Sequence, residues 1–269
     1  MSSELSQLVH NAVRRRIAAG EVAVSMVVRL VHSIEIATIA KTCGFDSLYV
    51  DLEHCSFSLQ TTSQICMAAL DVGVTPFVRV PGLGSEYVSR VLDGGALGVI
   101  APHVGSAAEA ELVVRNARFP PAGNRSVSVG TPHLRFRNWP PAEARRILNE
   151  ETTVVAMIET PDAVERVDEI AAVEGVDILM IGTNDLCAEM GIDGQFEHEK
   201  VKRAYARTIE ACRKRGKAAG IGGLASKPAL MAEFVAMGAR YVSSGADLSF
   251  ILASGRARAK EIRDMPTGA

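Results

Sequence analysis

The 269-residue chain has no block of like charge, no paired cysteines and no long apolar run, and each absence removes a class of protein. Its 29 basic and 31 acidic residues nearly balance. Short clusters such as Arg14-Arg15-Arg16 and Arg256 to Lys260 read as solvated helix faces, so no nucleic-acid partner is expected. The five cysteines (Cys43, Cys55, Cys66, Cys187, Cys212) are odd in number, scattered and never spaced as CxxC. That argues against a disulfide framework and a structural zinc site. Cys55 beside His54 is not read as a thiol nucleophile, because sequence neighbours at a strand end point apart. No run approaches the roughly 20 apolar residues of a membrane span, and Met-Ser-Ser-Glu-Leu-Ser at the start lacks a basic-then-apolar signal pattern. A cytoplasmic protein without a membrane partner is expected.

Nearly half the residues are hydrophobic (48%), so a large core is feasible, and the length suits one α/β barrel of roughly 250 residues. After an opening helix over Glu4–Ala19, strand patterns fall at Val22–Leu30, Ser47–Leu52, Pro76–Val80, Leu97–Ala101, Thr153–Ile158, Ile178–Ile181, Ala218–Ile221 and Tyr241–Ser244. Helical patterns alternate with them. They cover Ser33–Cys43, Leu59–Asp71, Ser85–Asp93, Ser106–Ala117, Ala142–Asn149, Pro161 to Gly175, Lys200–Arg215, Pro228–Met237 and Asp247–Arg263, most of them closed by a glycine. Eight strand–helix units with short connections predict a (β/α)8 TIM barrel with an extra N-terminal helix, residues 1–269 forming one domain. A doubly wound open sheet is the alternative, but no G-x-G-x-x-G follows the first strand. The longest irregular stretch, Phe119 to about Pro141, carries or borders Arg118, Arg125, Arg135 and Arg137 and reads as a functional loop or lid.

Barrel enzymes carry their chemistry where strands end. Here the run Ser47-Leu-Tyr-Val-Asp-Leu-Glu-His54 finishes in two acids and an imidazole, which a buried strand has no stability reason to do. The other ends supply Arg79, His103, Glu159, Asp185 and Asp247, the last of which equally suits a cap for the final helix. Glu159 and Asp185 end adjacent strands, and two converging carboxylates call for a shared proton or a cation. Oxygen donors suit Mg²⁺ or Mn²⁺ better than zinc. Such an ion polarises a carbonyl, Arg79 adds a fixed cation, and His54 has the intrinsic pKa to move a proton near neutrality. These parts suggest proton abstraction or carbon–carbon cleavage beside a carbonyl. A Schiff-base route is unsupported: most of the seven lysines fall on helices or turns, and Lys217 precedes its strand on the wrong face.

The segments Asp51-Leu-Glu-His54, Pro76-Phe-Val-Arg79, Leu92-Asp93-Gly-Gly-Ala, Arg118-Phe-Pro-Pro-Ala-Gly-Asn-Arg125, Met157-Ile-Glu-Thr160 and Ile181-Gly-Thr-Asn-Asp-Leu186, in this order and spacing, resemble the HpcH/HpaI aldolase family, metal-dependent pyruvate aldolases related to citrate lyase β subunits. The likeness runs from about Val24 to Phe250. It implies an aldolase that reversibly cleaves a 2-keto-4-hydroxy acid to pyruvate, or hydroxypyruvate, and an aldehyde. It also implies Glu159 and Asp185 as ligands of Mg²⁺, Mn²⁺ or Co²⁺, His54 as the proton carrier, and Arg79 as the enolate's cation. Asp51 would orient His54 or a metal-bound water, and Asp93 would raise the basicity of the histidine, although Asp93 equally fits a last-turn helix residue. Met157, Asp185 and the backbone at Thr183 and Asn184 would receive the keto acid. A homo-oligomer, trimer or hexamer, is implied, with the C-terminal helix a candidate for exchange between subunits. Met157 stands where many members carry Gln, and Thr183-Asn184 where Pro-Ala is more frequent. The acceptor and direction therefore stay open, as do a related decarboxylase or acyl lyase and a non-enzymatic carboxylic-acid-binding barrel. The loop arginines suit either a substrate's distal carboxylate or sugar-acid tail, or surface and subunit contacts.

Overall fold

Runs such as Leu48-Tyr-Val50 and Val154-Val-Ala-Met-Ile158 are apolar at every position, as strands covered on both faces must be. In the computed structural model, which describes residues 2–128 and 130–266, eight such strands close into a parallel barrel in chain order. They are β1 (Ala23–Val28), β2 (Ser47–Asp51), β3 (Thr75–Arg79), β4 (Gly98–Ala101), β5 (Thr153–Ile158), β6 (Ile178–Gly182), β7 (Ala218–Gly222) and β8 (Tyr241–Ala246). β8 pairs back onto β1, which completes the (β/α)8 closure and excludes the open sheet.

Two helices, α1 (Ser2–Leu8) and α2 (Ala12–Ala18), precede the barrel where one was expected over Glu4–Ala19. Asn11 divides them. Its backbone is extended, its Oδ1 accepts from Arg14 N at 3.1 Å, and its Nδ2 donates to Glu151 O at 2.7 Å, so the N-cap competes with a continuous helix. The crossover helices are α3 (Glu35–Thr42), α4 (Leu59–Val72), α5 (Ser85–Asp93), α6 (Ala107–Ala117) and α7 (Pro141–Glu151). A split pair follows, α8 (Pro161–Glu165) and α9 (Val167–Ala172), where one helix over Pro161 to Gly175 was expected. Then come α10 (Thr183–Glu189), α11 (Glu199–Lys214), α12 (Pro228–Met237) and α13 (Asp247–Arg263). Gly73, at φ +72°, ends α4 in the left-handed region that glycine enters without a Cβ clash.

The inward parity of each strand is read from the barrel interior, where Val27, Tyr49, Phe77, Val155, Met157, Ile178, Met180 and Tyr241 pack together with Val13 of α2 below them. Each fully buried side chain of this size, Phe77 for instance, contributes about 1.5–3 kcal/mol. Because side chains alternate along a strand, the next inward positions at the C-terminal ends are Arg29, Asp51, Arg79, Glu159 and Gly182.

The long loop is not a lid. α6 runs antiparallel to the strands, so its exit lies at the opposite end of the barrel from the C-terminal ring. There Phe119 and Leu134 pack with Leu5, Leu97 and Leu148, and a short 3-10 turn forms at Pro132–Leu134. Its arginines are spent on local acids: Arg118 pairs with Asp177 at 2.8 Å, Arg125 with Asp93 at 2.6 Å, Arg135 with Asp71 and Arg137 with Glu4. Val129 lies outside the described residues.

Candidate active site

A cavity of about 420 Å³ opens at the C-terminal ends of the strands, with His54, Arg79, Met157, Thr183, Asn184 and Asp185 among the residues that line it. Its wall is built by strand register. Asp51 of β2 lies directly beside Arg79 of β3, and both point inward. Arg79 therefore donates from Nε to Asp51 Oδ1 at 3.0 Å and from Nη2 to Oδ2 at 2.6 Å, the two-pronged geometry that guanidinium and carboxylate favour. Burial opposes the charge on both, but the pairing outweighs it, lowering the Asp51 pKa and raising that of Arg79.

Asp51 Oδ1 also accepts from the backbone N–H groups of Glu53 at 3.1 Å and His54 at 3.2 Å, turning the chain just past the strand. Asp51 was expected to orient His54 or a metal-bound water; its carboxylate is held by Arg79, and its hydrogen bond to His54 is to the backbone N–H rather than the ring. The ring, half exposed, stands 3.7 Å from Glu53 Oε2 instead.

Glu53, the least certain member of its segment in the sequence, is the hub. Its Oε2 lies 3.0 Å from Arg79 Nη1, close but not aligned as a hydrogen bond, and its Oε1 is 3.1 Å from His103 Nε2. His103 continues the chain, with Nδ1 3.1 Å from Glu159 Oε2 and its backbone N donating to the same oxygen at 2.7 Å. That bond holds His103 in the left-handed region at φ +53°, a strained state of order 1–2 kcal/mol for a residue with a Cβ. His103 was visible as a strand-end polar residue, yet nothing in the sequence predicted its bridging of two acids.

Glu159 is 1% exposed. Burial is the largest influence on it and pushes its pKa up to about 7; the His103 amide and charge oppose this, while the carboxylates of Asp185 and Glu53 add to it. Gly182 makes the space: a Cβ there would come within 2.4 Å of Glu159 Oε1. Asp185 sits in the first turn of α10 rather than at a strand end, because the chain turns helical immediately after Gly182. Thr183 is fully buried, its hydroxyl 2.8 Å from Tyr205 Oη and 2.6 Å from Gly222 O, so it presents backbone rather than side chain to the cavity.

Among the described residues no three His, Cys, Asp or Glu side chains are arranged to enclose a metal ion. Glu159 and Asp185 nevertheless fit one: a buried carboxylate destabilised by neighbouring carboxylates lacks a cation, and a hard divalent ion is commonly held by one or two carboxylates with water and substrate completing its shell.

Asp93 lies elsewhere. It ends α5, which runs down to the N-terminal end of the barrel, and pairs with the buried Arg125, so within one protomer it does not stand beside His54. Asp247 is buried and accepts the backbone N–H groups of Arg29, Leu30 and Val31; it secures the loop after β1 and is not the N-cap of the final helix, which is Ala246. Arg29 lines the cavity and was missed. Its signal was parity, two residues past the inward Val27.

The family model described as HpcH/HpaI aldolase/citrate lyase matches residues 25–253. The chain is 42% identical over 216 residues to the 4-hydroxy-4-methyl-2-oxoglutarate aldolase tasA of Hapsidospora irregularis, covering 80% of each protein. It is 31% identical to a hydroxypyruvate/pyruvate aldolase of Cupriavidus necator, over 87% of this chain and 86% of that one. The crystal structure of an HpcH/HpaI aldolase from Desulfitobacterium hafniense DCB-2 superposes with a TM-score of 0.89 at 32% identity, over 94% and 97% of the two chains.

Proposed function

The chain belongs to the HpcH/HpaI aldolase/citrate lyase family and is a class II aldolase; on that premise we propose that Glu159 and Asp185 hold its divalent ion and that His54 and Arg79 act on the substrate beside it. Membership sets aside the non-enzymatic barrel. The observation that carries the assignment is the buried Glu159 carboxylate, raised in pKa by burial and by Asp185, which itself lines the cavity.

When bound, the ion supplies Lewis-acid polarisation of the substrate's 2-keto group, and of the ions this family chemistry admits we favour Mg²⁺ or Mn²⁺ for an all-oxygen pair of ligands. Arg79, clamped by Asp51 and set against Glu53, keeps its guanidinium fixed at the cavity wall, where it stabilises negative charge developing on the keto oxygen as the bond to C4 breaks. In cleavage His54 takes the proton of the 4-hydroxyl and passes it to C3 of the enolate to give pyruvate; in condensation it takes a proton from the pyruvate methyl group and gives it to the new 4-hydroxyl. The backbone N–H groups of Thr183 and Asn184, at the start of α10 without helical partners, receive the keto acid's carboxylate. Met157 presses a thioether against the same end of the substrate. The products are pyruvate, or hydroxypyruvate, and a carbonyl acceptor. The tasA relative names one substrate of this 2-keto-4-hydroxy class, 4-hydroxy-4-methyl-2-oxoglutarate. The test is pyruvate release with and without chelator, with Mg²⁺, Mn²⁺ and Co²⁺ restored in turn. Full activity in chelator sinks the metal assignment, and full activity in Glu159→Ala sinks the ligand assignment.

We also propose that the protein is a homo-oligomer, trimer or hexamer, in which α13 crosses to a partner. The helix leaves the barrel after Asp247 and exposes Ile251, Leu252 and Ile262, while Ile34 and Ile39 by α3 and Met237 on α12 are exposed where a packed α13 would lie. Free thiols at all five cysteines suit a reducing, cytoplasmic setting. No described helix is long and apolar enough to cross a membrane.

A further inference from the structure

Arg29 is the cavity cation that the proposed chemistry leaves without a task. Its backbone is fixed. The buried carboxylate of Asp247 accepts from the N–H groups of Arg29 at 3.0 Å, Leu30 at 3.0 Å and Val31 at 2.8 Å, and so locks the loop that follows β1. Its guanidinium is far less constrained. It meets the Cys55 thiol and forms an ion pair with Asp51 Oδ2 at 3.3 Å, an oxygen that already accepts from Arg79 at 2.6 Å. Asp51 is thus neutralised and hydrogen-bonded without Arg29, whose side chain remains 41% exposed. A rigid backbone that delivers a spare guanidinium into a cavity is what carboxylate recognition requires, because the planar fork offers two parallel N–H groups to the two oxygens.

Its position selects which carboxylate. In the closed order of eight strands β1 lies across the barrel from β5, the strand that leads to Glu159. A keto acid held at β5 and β6 directs its other half toward β1 and its neighbours, where Arg29, and beside it the Ser243 hydroxyl of β8, line the cavity. The loop arginines do not compete, since they pair with acids at the opposite end of the barrel or on its outer surface.

We propose that Arg29 is a specificity-determining residue that binds a carboxylate on the far side of the cleaved bond, so that the preferred substrate is a 4-hydroxy-2-oxo dicarboxylic acid rather than its monocarboxylic analogue. The proposal rests on the aldolase reading above. It is tested with two substrates, 4-hydroxy-2-oxoglutarate and 4-hydroxy-2-oxopentanoate, which differ in carrying a carboxylate or a methyl group on C4. The readout is the ratio of their kcat/KM values in the wild type, Arg29→Met and Arg29→Lys, with thermal melting to confirm folding. The wild type favours the diacid, and Arg29→Met lowers the ratio by about a hundredfold, the scale of losing one charged hydrogen-bonding partner. Arg29→Lys retains part of the preference, which keeps the test decisive if the Met variant does not fold. A ratio that stays at the wild-type value, including an equal loss on both substrates, overturns the proposal and assigns Arg29 to supporting Asp51. Exchange of pyruvate methyl protons in deuterated water separates the two readings. Exchange without any preference for the diacid overturns this proposal alone, whereas a wild type that neither exchanges nor cleaves overturns the aldolase assignment beneath it.

Discussion

The two ends of the barrel hold similar side chains in opposite conditions. At the N-terminal end, Arg118 is buried and donates to Asp177 Oδ2, Thr152 O, Gly175 O and Asn149 O, while Arg14 takes the other Asp177 oxygen at 2.7 Å. Asn11 bonds Glu151 O and Thr153 Oγ1 there. At the C-terminal end, Arg29, His54, Arg79 and Asp185 line a cavity, and Glu53, His103 and Glu159 form a chain of contacts there, with Glu53 Oε2 left without an aligned donor and His103 held in a strained backbone. One cluster is closed by the chain's own carbonyls and is a matter of stability. The other leaves a carboxylate oxygen without an aligned donor at the cavity end and is where the proposed chemistry is placed. Buried arginine and buried carboxylate do not by themselves mean catalysis; what matters is whether the partner set is complete.

The largest expected effect that separates the ends is Glu159→Gln. Removing the proposed ligand lowers metal-dependent pyruvate release by roughly a thousandfold or more, the loss of several kcal/mol of charge stabilisation, while the metal-free melting temperature holds or rises because a buried charge has gone. Arg118→Leu should behave in the reverse way. Taking the Arg118 guanidinium away from Asp177, which keeps only Arg14 and the Val154 amide, and from several carbonyls costs about 3–5 kcal/mol in denaturant titration, with kcat/KM of the folded fraction within a few-fold of wild type. If Arg118→Leu silences the enzyme while it remains folded, or Glu159→Gln melts it, the comparison breaks.

A pH series sharpens it. The Glu159 carboxyl titrates near 7 in the metal-free fold and near 4.5 when unfolded. Between those values the folded state keeps a proton the unfolded chain has lost, so this group's contribution falls as pH rises through about 7. The metal-free melting temperature should decline between about pH 5 and 7 and level off above, and saturating Mg²⁺ or Mn²⁺ should flatten the decline; identical profiles with and without metal count against Glu159 as ligand. At the outer surface, Ile251→Asp with Leu252→Asp on α13 should lower the mass seen by light scattering to that of smaller species. The smallest effect is expected from Asp93→Asn, which weakens the Arg125 pair by about 1–3 kcal/mol and leaves kcat/KM near wild type. A tenfold loss of kcat/KM at unchanged melting temperature would return Asp93 to the site, by way of a neighbouring subunit.

Much of this was legible beforehand because strands and helices announce themselves by period and punctuation. Ser85–Asp93, Thr153–Ile158, Pro228–Met237 and Asp247–Arg263 appear with the bounds their patterns indicate, and other elements shift by a residue or two. The split of the opening helix at Asn11 and the short α10 were not legible. Asn11 acts through Glu151, 140 positions away, and a seven-residue helix has too few turns to show a period. Polar strand ends pointed to Asp51, Arg79 and Glu159, but a polar end does not reveal its partner. Asp51 was therefore matched with His54 when register matches it with Arg79, and Arg29 was overlooked although its parity is that of Val27. The loop from Phe119 was read as a functional loop or lid because length marks irregularity, whereas the direction of the helix before it decides which end of the barrel it covers.

What the sequence determined by itself is the barrel, its order and the identity of the polar residues at the strand ends, since hydrophobic period and turn residues are local properties that any segment carries alone. Tertiary structure decided which of those residues meet. Closure of eight strands brings Glu53, His103 and Glu159 into one chain of contacts, sets Gly182 beside a carboxylate that needs its missing Cβ, and turns Arg29 toward the far side of the cavity. Those juxtapositions join residues many tens of positions apart, and only the register and curvature of the closed sheet specify them.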